Sequence, residues 1–84
     1  MTQNHMAVAQ LKLLGFPLPN IRLSLHKLTG ITQPMIAKTI DTPRLNVTNH
    51  MSGIRNNKDI QNKIADIFDI PTEVLFEDNI KHDK

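Results

Sequence analysis

Nine consecutive residues, Arg44-Leu45-Asn46-Val47-Thr48-Asn49-His50-Met51-Ser52, carry most of the side chains in this chain that are suited to recognising another molecule. On a helical wheel of about 100° per residue, Val47, His50 and Met51 fall on one side. Arg44, Leu45, Thr48, Asn49 and Ser52 fall on the other. A helix divided this way docks by its apolar side and offers the polar side to solvent. The polar side has a definite chemistry. A guanidinium such as Arg44 matches O6 and N7 of guanine, and a carboxamide such as Asn49 matches N6 and N7 of adenine, each with two hydrogen bonds. Thr48 is a general hydrogen-bonding group, and Leu45 suits the methyl group of thymine.

Other chemistries find little support. The chain has no cysteine, which excludes disulfides, thiolate metal sites and thiol nucleophiles. Its four histidines, at positions 5, 26, 50 and 82, include no pair at a ligand spacing such as i, i+4, so no metal site is expected. His50, on the inner side of the wheel, reads as a packed side chain. The acidic residues lack a partner set, a phosphate-binding loop or a nucleophile elbow. The chain is therefore not expected to be an enzyme, to hold a cofactor or to bind a small-molecule ligand.

The 84 residues allow one domain with a modest core. Charge is unevenly placed along it. Residues 1–58 carry Lys12, Arg22, Lys27, Lys38, Arg44, Arg55 and Lys58 against Asp41 alone, a balance of +6. Residues 59–84 carry three lysines against seven acids, a balance of −4. Such segregation favours a basic face that meets a polyanion and an acidic remainder turned away. No stretch has the basic start and apolar run of a signal peptide, and none approaches the roughly 18 apolar residues of a membrane span. A cytoplasmic protein with no membrane partner is the expectation.

The elements that must hold the nine residues are all helical, since the apolar residues recur at helical rather than alternate spacing. A first helix over 5–14, apolar around nearly its whole circumference, ends at Gly15 and must bury itself in its own domain or against another chain. Asn20 caps a second helix with Ile21, Leu25 and Leu28 on its buried side, ended by Gly30. Thr32 caps a third, with Pro34 in the first turn and Ile31 and Ile36 as a hydrophobic staple. Pro43 ends that helix near Asp41, which takes a left-handed turn. Thr42 then caps the fourth helix, with Pro43 as its first residue and Gly53 as its stop. Asn57 caps a fifth helix whose stripe is Ile60, Ile64, Ile67 and Phe68, and Asp59 suits its positive end. After Ile70-Pro71-Thr72 a short turn brings Val74, Leu75 and Phe76 onto the core. The tail EDNIKHDK reads as frayed.

The run from Thr32 to Phe76 resembles the phage-repressor helix-turn-helix domains (Xre, Cro-like, lambda-repressor-like). Thr32-Gln33 looks like the family's opening Thr-Gln, and Ile36-Ala37-Lys38 resembles its Ile-Ala-Lys. Val47-Thr48-Asn49-His50-Met51-Ser52-Gly53 is similar to its Val-Ser-x-x-Leu-x-Gly, and Ile70-Pro71-Thr72-Glu73-Val74-Leu75-Phe76 to its closing Val-Pro-x-Glu-x-Leu-Phe. The resemblance covers residues 20–79. It implies a compact all-α bundle of about five helices containing a helix-turn-helix, here with an extra N-terminal helix. Residues 1–19 would form a dimerising or core-covering segment, and residues 80–84 a tail.

By the same resemblance, Arg44, Leu45, Thr48 and Asn49 would face base edges of double-stranded DNA. Gln33 would meet a phosphate at the start of its helix, and Asn46, Ser52, Arg55, Asn56 and Lys58 would lie along the backbone. Asp41 stands where the family usually has Gly, and Pro43 where it usually has Ser. The resemblance implies a bacterial or phage-encoded, nucleoid-associated transcriptional regulator. It would act as a repressor, a homodimer reading a palindromic operator. A protein-interaction module on the same scaffold, without specific DNA readout, is the alternative, because a fold does not by itself fix a function.

Overall fold

The computed structural model describes residues 2–77, in which six helices and no strands occur. They are α1 (Gln3–Leu13), α2 (Leu18–Thr29), α3 (Gln33–Thr39), α4 (Arg44–Ser52), α5 (Lys58–Phe68) and α6 (Thr72–Leu75). No helix among the described residues is long and apolar enough to cross a membrane.

Side-chain caps start three of these helices. The Thr32 hydroxyl accepts from the Met35 N–H at 3.3 Å, and the Asn57 carbonyl oxygen accepts from the Ile60 N–H at 3.1 Å. Thr2 does the same for the His5 N–H at 3.1 Å, so α1 begins at Gln3 rather than at 5. Two expected starts are corrected. Asn20 caps nothing: α2 begins at Leu18, with Pro17 extended before it and Pro19 in its first turn, where a missing N–H is tolerated. Nor does Thr42 cap α4. Pro43 itself occupies the cap position, the helix begins at Arg44, and the Thr42 hydroxyl instead accepts from Asn46 Nδ2 at 2.9 Å.

Four helices stop by one manoeuvre, in which two backbone N–H groups beyond the end turn back to the last free carbonyls. After α4, the Ile54 N–H reaches Asn49 O at 2.9 Å and the Gly53 N–H reaches His50 O at 3.2 Å, with Gly53 at φ +91°. After α3, Thr42 reaches Ala37 O at 3.0 Å and Asp41 reaches Lys38 O at 3.3 Å, with Asp41 at φ +56°. The same pattern follows α1 at Gly15 and α5 at Asp69, which has φ +59°. The carbonyl-to-amide closures thus hold two aspartates in a left-handed conformation that glycine normally takes. The departure at Asp41 leaves the tight turn between α3 and α4 in place.

α4 packs on α3 and also meets α2 and α5. Ile21 and Leu25, Ile36 and Ala37, Val47 and Met51, and Ile64, Ala65 and Phe68 meet in one core, closed from below by Ile70, Leu75 and Phe76. Ile31, Ile40, Ile60, Ile67 and Val74 pack against its margin. Leu28 does not join it and is exposed. The inward stripe is Leu18, Ile21, Arg22 and Leu25, and Leu28, although nearly in line with Ile21, falls in the last turn of α2, beyond the buried part of that stripe.

α1 buries less than its composition implies. Val8 is its one fully enclosed side chain, Leu11 is half-buried, and Met6 and Leu13 are exposed, as is Leu14 just beyond it. A straight helix docks along one line only, whatever lies around its circumference. Polar ties supplement that line: Thr2 Oγ1 donates to Asp69 O at 2.8 Å, Asn4 Nδ2 donates to Phe68 O at 2.9 Å, and Lys12 pairs with Glu77. Of the tail expected to fray, residues 77–84, Glu77 is described and is held by Lys12, and residues 78–84 lie outside the described residues.

Candidate nucleic-acid interface

The division of α4 on the wheel is realised in space. Val47 and Met51 are fully buried and His50 is 1 % exposed, while Arg44 is exposed and Leu45 is 68 % exposed. Thr48, Asn49 and Ser52 are half-buried along the margins of the outer side. The expected surface therefore exists as a continuous outer strip of one helix.

α3 adds to this strip. Thr48 Oγ1 donates to Gln33 Oε1 at 2.6 Å, joining the first residue of α3 to the middle of α4. The bond commits the oxygen of the Gln33 amide and leaves its N–H donors for another acceptor. Asn46 is held by Thr42, as described above, so its amide braces the turn between the two helices. Ser52 folds back to Asn49 O at 3.2 Å. The segment leading to α5 carries Arg55, Asn56 and Lys58, all exposed. Lys27 and Lys38 are exposed as well.

On the inner side His50 makes two bonds that determine its tautomer. Nε2 accepts the Asn57 backbone N–H at 3.1 Å, so the proton sits on Nδ1, which donates to Asn46 O at 2.6 Å. One neutral imidazole thus ties α4 to the residue that caps α5. Among the described residues, no three His, Asp or Glu side chains are grouped to hold a metal ion.

Arg22 is the functional-looking cation that the sequence misplaces. Counted with the basic face, it is fully buried. Its Nε donates to Met51 O at 2.7 Å, its Nη1 donates to Leu75 O at 3.0 Å, and its guanidinium carbon lies 5.0 Å from the centre of the Phe76 ring. A buried guanidinium is tolerable because these carbonyls and the aromatic face replace water. Met51 is in the last turn of α4, so the charge also sits at the negative end of that helix. The signal was present: Arg22 is the i+4 position of the Leu18, Ile21, Leu25 stripe, visible once the helix begins at Leu18.

Comparison with family models, with curated proteins and with solved structures finds no match to this chain.

Proposed function

We propose that the chain is a helix-turn-helix regulator of the phage-repressor type that binds double-stranded DNA and reads an operator through α4. The observation that carries this reading is the split of α4, with Val47, His50 and Met51 enclosed while Arg44 and Leu45 project. A short helix anchored on one side, and joined to its neighbour by a tight turn, has the form of a rod that enters a major groove. Arg44, Leu45, Thr48 and Asn49 then face base edges. Gln33, Asn46, Ser52, Arg55, Asn56 and Lys58 follow the sugar-phosphate backbone, which supplies affinity while the bases supply choice.

In this reading two copies act together on a palindromic operator, since domains of this size read half-sites about one DNA turn apart. Occupying that operator represses transcription. The second reading, a protein-interaction module, draws on the exposed Leu13, Leu14 and Phe16, to which the DNA reading gives no role. Salt separates the two. Neutralising ~5 phosphates makes log K fall with log[salt] at a slope near −4.5, whereas a protein contact made by apolar groups shows little slope.

The direct test recovers bound sequences from a randomised duplex pool. A palindromic consensus is expected. Equal affinity for selected and scrambled duplexes at physiological salt overturns specific readout.

A further inference from the structure

Ile54, the second residue beyond α4, is 76 % exposed, yet its backbone is fixed. Its N–H lies on Asn49 O at 2.9 Å, the Arg55 N–H lies on the same oxygen at 3.1 Å, and Gly53 makes the turn at φ +91°. This closure folds the residue after the left-handed one back over the last turns of the helix, where it commonly meets an apolar side chain. Elsewhere in the molecule it does. After α5, Ile70 returns over Ala65, and both belong to the core. After α1, Phe16 returns over Leu11, and the two line one surface groove. After α4 the receiving positions are held by Thr48 and Asn49. Ile54 therefore returns over the outer, polar side of α4, and the outer strip ends in a branched hydrocarbon that no core claims.

We propose, resting on the DNA reading, that Ile54 is a specificity-determining residue that seats the C5-methyl group of a thymine, beyond the base that Asn49 faces. The edges of bases in the major groove are rows of hydrogen-bond donors and acceptors, and the thymine methyl is the apolar feature among them. An aliphatic side chain in that groove gains most by covering it. Branching at Cβ leaves Ile54 few rotamers to lose, so holding it against a base costs little entropy. With Leu45 at the opposite end of α4, each half-site carries a thymine towards both ends of the strip.

The surroundings favour nucleic acid over an apolar protein surface as the occupant. Residues 42–58 hold Arg44, Arg55 and Lys58 and no acid, and all three cations are exposed. A polyanion complements such a setting. An apolar protein surface would strip water from those charges without replacing it.

Deoxyuridine differs from thymidine by the loss of that methyl group alone, which makes the contact testable atom by atom. The full chain, as wild type and as Ile54→Ala, is titrated against the operator recovered from the randomised pool, with its thymines replaced by deoxyuridine one at a time. One replacement is expected to weaken wild type about fourfold, the worth of one buried methyl group, and to leave Ile54→Ala unaffected. That position is expected to differ from the one to which Leu45→Ala becomes indifferent. Ile54→Val, which keeps a branched hydrocarbon, is expected to retain the sensitivity. Ile54 is exposed, so thermal melts of both Ile54 variants are expected to match wild type and serve as the control for folding. If every replacement costs Ile54→Ala as much as it costs wild type, the proposal is overturned and the DNA reading stands. A uniform loss of affinity in Ile54→Ala, with all the replacement costs intact, overturns it in the same way. A pool that yields no preferred sequence removes both.

Discussion

Gln33 Oε1 and Thr48 Oγ1 are 2.6 Å apart, so the first residue of α3 and the middle of α4 share one hydrogen bond across the helix pair. The residue expected at a phosphate and a residue expected at a base are therefore not independent. Thr48→Val keeps the shape and removes the hydroxyl. Both side chains are half-buried, and water can replace the lost donor, so stability is expected to change by less than about 1 kcal/mol. Operator affinity is expected to fall about tenfold, because the Gln33 amide loses its fixed orientation. Fluorescence anisotropy with operator and scrambled duplexes, beside a thermal melt, checks both statements. An affinity unchanged by Thr48→Val shows that the bond is incidental to binding.

Asn49 and Arg55 lie on opposite sides of the Gly53 turn and are expected to fail differently. Asn49→Ala should cost about 1–3 kcal/mol on the selected operator and relax choice at one base position. Arg55→Ala should weaken all duplexes alike and reduce the salt slope by about 1. Competition binding against single-base operator variants at two salt concentrations distinguishes the two patterns. If both substitutions lower affinity uniformly, Asn49 has no base-reading role.

Arg22 holds three elements at once, α2 through its own backbone, α4 through Met51 O and the last helix through Leu75 O. Arg22→Met retains a comparable stem and strands both carbonyls. The expected loss is about 3 kcal/mol, since buried acceptors without donors carry their full desolvation cost. For a domain of this size that lowers Tm by about 12 °C or more. Chemical denaturation monitored by circular dichroism measures it. A loss below about 1 kcal/mol means that water or relaxed packing satisfies those carbonyls.

Asp41 tests the turn itself. At φ +56°, glycine relieves steric strain but brings extra freedom to the unfolded chain. Asp41→Gly is expected to stabilise by about 0.5 kcal/mol, whereas Asp41→Val is expected to destabilise by about 2 kcal/mol, a β-branched residue being poorly tolerated there. Comparative melts of the two variants give the sign of each. Equal stability would mean that the turn adopts another conformation in solution.

Much of this architecture could be read in advance because local rules and burial agree. Thr32, Pro34, Ile31 and Ile36 all point to one helix start, and Gly53 and Asn57 bracket one loop. The inner side of α4 was legible because Val47, His50 and Met51 obey the helical period without competition. α2 was less so. The start expected at Asn20 left Leu18 outside the helix, although the prolines on either side of it occupy positions that a helix start accepts, and this concealed the stripe that contains Arg22. The bond between Gln33 and Thr48 spans two elements, and no spacing rule reports on a contact that depends on their packing angle. The exposure of Leu13 and Leu14 was hidden for the opposite reason: hydropathy shows how much of a helix is apolar, not which side meets the core.

Val8, the only wholly enclosed side chain of α1, has a consequence for how the molecule breathes. Detaching that segment withdraws Val8 and the half-buried Leu11 and undoes a few polar ties, whereas detaching α4 opens the centre of the protein. The N-terminal helix is therefore expected to be the clasp of the structure, the first element to lift when the molecule opens locally.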